Sequence, residues 1–286
     1  MADKGSAGKR KSGGKLDLVT IGGLVLAVGG ILGGLVLEGG KVKDVAQVTA
    51  AIIVFCGTIG AVMVTTPMQS LIGAVKKLGM VFFEADNSPH DIIEEIIRYA
   101  TKARKSGIVS LEQDAEAIQD PFLRKALNLA VDGTDLDVIR KIMELEINLE
   151  EHHAEAEAKV FEAAGGYAPT IGIIGAVLGL IQVMKNLANI DEVGHGIAVA
   201  FVATVYGVGS ANVFFLPAGA KIRARGQKVI QNHELMLEGV GGIVEGLNPK
   251  LIRSKLEAYG RAEHKEKAAK EPKAAKAPAR AAAAEG

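Results

Sequence analysis

The stretch AAGGYAPTIGIIGAVLGLIQVM, residues 163–184, contains no charged side chain. Its 22 residues match the length of about 20 that an α-helix needs to cross the hydrocarbon core of a bilayer. Three further runs also lack Asp, Glu, Lys and Arg, at residues 18–37, 45–75 and 196–220. Four such runs in one chain argue against buried helices of a soluble core. The sequence therefore predicts four transmembrane helices in two pairs.

The composition excludes several classes of protein. Hydrophobic residues make up 49% of the 286-residue chain, and 33 basic side chains balance 33 acidic ones, which argues against a uniformly basic nucleic-acid binder. The single cysteine, Cys56, excludes an internal disulfide framework and a cysteine-based zinc finger. His152 and His153 lack the spacing of a helical metal site. No phosphate-binding loop, dinucleotide motif or nucleophile elbow occurs, so we expect no enzyme, no cofactor and no bound metal.

The distribution of charge predicts the orientation in the membrane. Residues 1–15 hold five basic and one acidic side chain, and residues 221–286 hold fourteen basic and eight acidic. The positive-inside rule then places both termini in the cytoplasm. Residues 76–162 lie on the same side, and the short links 38–44 and 185–195 lie outside. Basic residues support this at the inner ends of the second and fourth spans: Lys76, Lys77, Lys221, Arg223, Arg225 and Lys228.

The cytoplasmic segment contains clear signals for helix ends. Ser88 followed by Pro89 predicts a helix start, and apolar residues follow at helical spacing before a stop at Gly107. Ser110 has the spacing of a capping box for the next helix. Asp120 precedes Pro121 at the start of a third helix.

A long fourth helix is predicted to begin after Asp135 and to run toward a flexible point at Gly165 and Gly166. No strand pattern stands out, so the predicted fold is all-α: a polytopic membrane protein with four transmembrane helices and a helical cytoplasmic domain between spans 2 and 3. The predicted organisation is a basic cytoplasmic stretch (1–15), transmembrane helices 1 and 2 (16–75), the helical cytoplasmic domain (76–162), transmembrane helices 3 and 4 (163–220), a cytoplasmic C-terminal helix (221–260) and a disordered tail (261–286).

The predicted spans are rich in small and polar residues but contain no carboxylate. Glycine pairs four residues apart let helix backbones approach closely, and for the first span we expect packing alone. Pro169 and Pro217 favour helices that hinge, and nearby polar side chains favour a polar path. Ion translocation normally requires an intramembrane acid or base, so a partner would have to supply it. The glycine pairs are Gly29/Gly33, Gly30/Gly34 and Gly175/Gly179, and the polar residues are Thr170, Thr204, Tyr206, Ser210 and Asn212.

The order of these segments resembles the MotA/PomA family, the A subunit of the bacterial flagellar motor stator. The resemblance covers about residues 16–259 and omits the basic N-terminal stretch and the tail. It rests on five stretches: YATKARKSGIVSLE (99–112), GYAPTIGIIGAVLG (166–179), ATVYG (203–207), NVFFLP (212–217) and NPKLIRSKL (248–256).

The resemblance implies an ion-powered torque generator in the bacterial inner membrane. In that family five A subunits surround two B subunits of the MotB/PomB type, each with one span and an essential Asp. Ion flow through that Asp steps the A ring around the B dimer, and cytoplasmic charges of A engage a rotor switch-complex protein of the FliG type. A chain without its own intramembrane acid suits this arrangement, which involves no nucleic acid.

The same resemblance implies roles for particular residues. Arg104 and Glu112 match the family's rotor-interacting pair, although from the residues alone they only favour a helix C-terminus and a first turn. Ala176 stands where sodium-driven members carry threonine, which favours protons over sodium and leaves sodium open, because backbone or partner oxygens can replace one ligand. The implied ion-path and coupling residues are Pro169, Thr170, Ala176, Thr204, Tyr206 and Pro217.

Three other functions compete with this interpretation. An ExbB/TolQ-type energiser of outer-membrane processes shares the general arrangement, but it typically has three spans and lacks the 104–112 stretch. An autonomous channel would conduct ions alone. A structural scaffold would show no ion dependence.

Overall fold

A computed structural model describes residues 15–84 and 88–258. The predicted tail at 261–286 and all but the last residue of the basic stretch 1–15 lie outside the described residues. The described chain is almost entirely helical, and the prediction of an all-α membrane protein is confirmed. One detail was not predicted: strand β1 (Lys15–Leu16) pairs antiparallel with strand β2 (Phe83–Glu84). Two residues are too few to show an alternating pattern.

The helices follow one another in chain order with short connections. The first are α1 (Leu18–Leu37), α2 (Val48–Ala51), α3 (Gly57–Thr65), α4 (Met68–Lys77) and α5 (Gly79–Phe82), with a π-helical segment at Ile52–Cys56 that joins α2 to α3. Next come α6 (Pro89–Ser106), a 3-10 turn at Ile108–Leu111, α7 (Glu112–Ala117), α8 (Pro121–Val131) and α9 (Leu136–Lys185). The last are α10 (Ile190–Ser210), a π-helical segment at Ala211–Phe215, α11 (Leu216–Val244) and a helix at 249–258.

The described residues form two compact units. The first contains residues 15–84 and 146–230, and the second contains residues 88–145 and 231–258.

Four helices within the described residues are long and apolar enough to cross a membrane, as predicted. They are Leu18–Leu37, Val48–Thr65, Leu136–Lys185 and Ile190–Val244. The second span is shorter than the charge-free run at 45–75. Pro67 disfavours the helical conformation of the residue before it, and Thr66 is accordingly extended, which ends α3.

The third and fourth spans belong to helices that extend well beyond the charge-free runs. The run at 163–184 is the C-terminal part of the 50-residue helix α9. The run at 196–220 lies inside the uninterrupted helix Ile190–Val244. The predicted link 185–195 shortens to residues 186–189, because the Asn189 side chain caps α10 by accepting from Asp191 N at 3.2 Å. Absence of charge therefore marks the apolar part of each helix and not its ends.

Most of the predicted helix ends are confirmed. Helix α6 starts at Pro89, and it stops at Gly107, whose φ of 81° suits glycine and few other residues. The Asp120 carboxylate accepts from Phe122 N and Leu123 N at 2.9 and 3.1 Å and caps α8. Helix α9 begins directly after Asp135.

Two predictions about local structure are wrong. The Ser110 hydroxyl does not cap a helix; it donates to Gly107 O at 2.6 Å, because Ser110 lies inside the 3-10 turn that precedes α7. Gly165 and Gly166 form no flexible point, because α9 runs through both. A Cβ on Gly165 would lie 2.5 Å from Leu216 Cδ2, so this glycine allows close packing between α9 and α11.

Glycine contacts join α9 to α10 in the first unit. A Cβ on Gly179 would lie 2.7 Å from Gly196 O, and one on Gly207 would lie 2.5 Å from Ala168 O. The pair Gly175/Gly179 therefore packs as its spacing predicts. The glycines of α1 behave differently: a Cβ on any of Gly29, Gly30, Gly33 and Gly34 would meet no described atom within 4 Å, and α1 buries none of its residues. The packing expected for the first span does not occur within the described chain.

The second unit has its own apolar core. Ile96, Leu123 and Ile139 are almost completely buried and come from three different helices. Arg253, in the helix at 249–258, forms a two-pronged ion pair with Glu94 of α6, with Nη2 and Oε2 2.9 Å apart. The hydrogen bonds from Arg253 hold the pKa of the Glu94 carboxyl below its ordinary value. This unit is thus closed by a core and by an ion pair at its surface.

The substitution Gly207→Ala tests the close packing of α9 on α10. The new Cβ would collide with the Ala168 carbonyl oxygen, a backbone atom that cannot turn aside, so we expect a loss of about 1–3 kcal/mol in stability. The measurement is thermal unfolding of the detergent-purified protein.

Gly209→Ala is the matched control on the same helix. Its Cβ would meet nothing within 4 Å, so it should leave stability unchanged or raise it by up to about 1 kcal/mol. Equal unfolding temperatures for the two variants would contradict the packing described above.

Candidate functional site

Three of the predicted ion-path residues lie where α9 crosses α10. A Cβ on Gly172 of α9 would lie 2.9 Å from Ala203 O and 3.5 Å from the Cα of Thr204. Thr204 is therefore at the crossing itself. Pro169 and Ala176 lie within about one turn of Gly172 on the same side of α9, so they lie beside this contact, whereas Thr170, two residues from Gly172, lies on the opposite side of the helix and is exposed.

The crossing and the adjoining turns of α9 and α10 offer oxygen atoms but no charge. The Thr170 hydroxyl donates to Tyr167 O at 2.8 Å, and the Thr204 hydroxyl donates to Ala200 O at 3.2 Å. A hydroxyl that donates in this way keeps its acceptor lone pairs. Pro169 has no N–H, so it leaves the carbonyl one turn earlier in α9 without its helical donor. These groups can solvate a proton carrier or a small cation, whereas Ala176 contributes no side-chain oxygen.

The Tyr206 hydroxyl makes its hydrogen bonds to the segment before the second span and not at the α9–α10 crossing. It donates to Val45 O at 2.5 Å and accepts from Gln47 N at 3.4 Å, and the Tyr206 ring lies 5.9 Å from that of Phe55. The side chain therefore connects α10 to the segment that enters the second span. The residues around the α9–α10 crossing and Tyr206 do not form one polar cluster.

Pro217 lies on an irregular part of its helix. It is exposed, and it is the second residue of α11, which directly follows the π-helical segment Ala211–Phe215. Both features weaken the ladder of backbone hydrogen bonds, because a π-helical segment widens the turn and proline lacks a donor. The helix is thus least regular at 211–217.

Arg104 and Glu112 both lie at the surface of the second unit. Arg104 lies in the last turn of α6 and Glu112 is the first residue of α7, and both side chains are exposed. Neither makes a hydrogen bond or an ion pair within residues 88–258. Lys102 and Asp114, by contrast, form an ion pair at 2.7 Å that links the same two helices. The pair of helices α6 and α7, which we call the α6–α7 hairpin, is therefore held by the ion pair of Lys102 with Asp114. The charges of Arg104 and Glu112 remain available to another molecule.

A set of ion pairs in the first unit was missed by the sequence analysis. The basic residues after the second and fourth spans were attributed to membrane orientation, but four of them meet carboxylates. The pairs are Lys77 with Glu157 at 2.9 Å, Arg223 with Glu162 at 2.6 Å, Lys221 with Asp17 at 2.5 Å and Arg225 with Asp17 at 2.6 Å.

Asp17 is the most heavily bonded of these carboxylates. One oxygen, Oδ1, caps α1 by accepting from Val19 N and Thr20 N at 3.1 Å each, while Oδ2 meets both Lys221 and Arg225. The hydrogen bond from Lys221 and that from the Thr20 backbone hold the pKa of this carboxyl far below its ordinary value. An Asp directly before an apolar run is a recognised capping signal, so the cap was predictable. Its two cations lie over 200 residues away and were not.

The described residues contain no group of three or more His, Cys, Asp or Glu side chains able to hold a metal ion. His152 and His153 are both exposed on α9.

Fold and site together define a polytopic helical membrane protein with a second, charged helical unit. Residues 114–235 match the MotA/TolQ/ExbB proton channel family, and residues 21–107 match the motility protein A N-terminal family. Motility protein A of Bacillus subtilis is 37% identical over 85% of this chain and 91% of its own length. The chain therefore belongs to the motility protein A family, which confirms the resemblance seen in the sequence.

Solved structures agree with this assignment. The structure of C. jejuni MotAB superposes with a TM-score of 0.82 at 34% identity, covering 85% of this chain and 96% of that one. The flagellar MotAB stator complex from Bacillus subtilis gives a TM-score of 0.79 at 34% identity, with 87% and 98% covered.

The substitution Tyr206→Phe tests whether this hydroxyl holds the entry to the second span. Losing the bonds to Val45 and Gln47 should lower stability by about 1 kcal/mol. Thermal unfolding in detergent measures the loss. Tyr167→Phe is the control, since the Tyr167 hydroxyl makes no hydrogen bond within the described residues. A Tyr206 variant as stable as the control would contradict this role.

Proposed function

We propose that this protein is the A subunit of a flagellar motor stator, which couples ion flow across the bacterial inner membrane to torque on the rotor. The observation that carries the proposal is the likeness of most of the chain to MotAB from two bacteria, at 34% identity in each case. In this arrangement both termini and the second unit lie in the cytoplasm, as the basic residues at the inner ends of the spans favour.

The protein works with a B subunit. None of the four charge-free runs contains a carboxylate, so the group that accepts the ion has to come from another chain. We assign that role to a MotB/PomB-type subunit with one span and an essential Asp. The stoichiometry of the proposed complex is five A subunits to two B subunits.

The transported ion is a proton. Thr204, at the α9–α10 crossing, and Thr170, on the opposite side of α9, retain acceptor lone pairs that can solvate the ion on its way to the partner's carboxylate. Ala176 supplies no oxygen that would favour a dehydrated sodium ion. Pro169 and Pro217 interrupt the helical hydrogen bonds on either side, so in this mechanism the helices bend at these positions as the ion binds and leaves.

Arg104 and Glu112 engage a FliG-type rotor protein. Their exposure and their lack of partners within residues 88–258 support this role, because an exposed charge can bind and release a partner repeatedly at low cost. Lys102 and Asp114 hold the hairpin on which the two charges stand.

Proteoliposomes test the coupling to a partner. The chain alone should give no proton flux, whereas co-reconstitution with a B subunit should give proton flux under a pH gradient and none under a sodium gradient. The measurement is a pH-sensitive dye inside the vesicles. Proton flux from the A chain alone would contradict the mechanism and favour an autonomous channel.

Charge reversal tests the rotor contact. Arg104→Glu or Glu112→Lys should impair swimming in soft agar while leaving membrane insertion and co-purification with the B subunit intact, because neither side chain has an internal partner in residues 88–258. Lys250→Glu, another exposed position of the same unit, is the control and should swim normally. Loss of complex in the Arg104 or Glu112 variants would refute the rotor role.

A further inference from the structure

Asp17 joins three segments of the first unit that are distant in sequence. Its backbone N–H donates to Phe82 O at 2.8 Å, beside the β1–β2 pair, and its carboxylate caps α1. Lys221 and Arg225 of α11 reach the same carboxylate oxygen. We call these contacts the Asp17 junction.

Arg225 strengthens this junction through the backbone. Besides meeting Asp17, its guanidinium donates to the carbonyl oxygens of Met80 and Phe83, and its side chain is only 13% exposed. A nearly buried guanidinium with three acceptors has little freedom to move. The start of α11 is therefore bound both to α1 and to the chain that follows α5.

The two cations of the Asp17 junction lie just beyond Pro217 on the same helix. Lys221 and Arg225 follow Pro217 by four and eight residues, so they lie about one and two turns along the same face of α11. The helix is least regular just before them, at 211–217, and regular beyond. The junction thus holds the helix immediately after the point where it bends most easily.

There is also open space next to the irregular segment. A cavity of about 300 Å³ lies between α1 and this part of the helix, and its wall includes Gly23, Phe214 and Pro217, with Lys221 at one end. Lys221 lines this cavity, whereas Asp17 and Arg225 do not, and the ion pairs of the Asp17 junction hold residues 221–225 to the start of α1. The segment around Pro217 consequently has room to move against α1 while residues 221–225 do not.

We propose that Asp17 is a positioning residue for torque generation. It anchors α11 beyond Pro217 to the first turn of α1, so that bending at 211–217 displaces the ion-path side of the helix against a fixed base. This inference rests on the proposed stator function. Asp17 touches neither ion nor rotor in this role; it acts through Lys221 and Arg225.

Asp17→Asn separates this role from capping. Asparagine is as good an N-cap as aspartate, so the start of α1 should be kept while both ion pairs are lost. Arg223→Gln is the matched control, because Arg223 lies between the two cations in sequence but pairs with Glu162 of α9 instead. Asp17→Glu, which restores the charge, should recover part of the function.

The experiment measures single-motor speed in a host that lacks its own stators, with the protein produced together with its B subunit. Speed rises in steps as stator units join, and each step reports the torque of one unit. We expect Asp17→Asn to lower the step height by about twofold or more, because the loss of Asp17 weakens the coupling of the helix to its base, with membrane level and complex size unchanged. Arg223→Gln should keep the wild-type step height.

A purely structural role would reduce the number of steps and leave their height unchanged. That result, or a step height equal to wild type, would overturn the positioning role while the wild-type steps still support the stator function. A wild-type chain that produces no steps with its partner would overturn both proposals.

Discussion

The absence of Asp, Glu, Lys and Arg from four long apolar runs constrains the rest of this structure. Helices in hydrocarbon satisfy their own backbone groups, so without charges they can associate only by close packing and a few hydroxyl contacts. Gly172, Gly179 and Gly207 provide that packing between α9 and α10. Thr170 and Thr204 bond to carbonyls of their own helices and need no partner for stability. The ion pairs described above therefore lie at the ends of the spans and in the second unit.

Neutral net charge in this chain is the sum of unlike parts. The 33 basic and 33 acidic side chains are separated along the sequence, with an excess of eight acidic residues between 76 and 162. At the ends of the spans, Lys77, Lys221 and Arg223 each meet a carboxylate. Within residues 88–258, the side chains of Arg104 and Glu112 form no ion pair. Paired charges stabilise the fold, and unpaired ones are available for transient contacts with another protein.

Local signals in the sequence predicted the fold well, and contacts between distant residues explain what was missed. The four spans, the Asp120 cap and the stop at Gly107 depend on a few consecutive residues, so their patterns were sufficient. The prediction that Ser110 caps α7 was wrong because the capping-box spacing also fits a 3-10 turn. Gly165 suggested flexibility because Leu216, which packs against it, is 51 residues away. The candidate ion path came from family resemblance, since no pattern in the residues predicts which helices cross.

Helix α1 buries none of its own residues, and the contacts that fix its first turn form late in the synthesis of the chain. Arg225 follows Asp17 by 208 positions, so at ribosomal rates of about 5–20 residues per second the acid waits about 10–40 s for its second cation. For almost all of that interval Asp17 lacks both of its cations, whereas Phe82, which accepts from its backbone N–H, has already been made. Helix α1 therefore completes its contacts only after the start of α11 has been made, when Lys221 and Arg225 can reach Asp17.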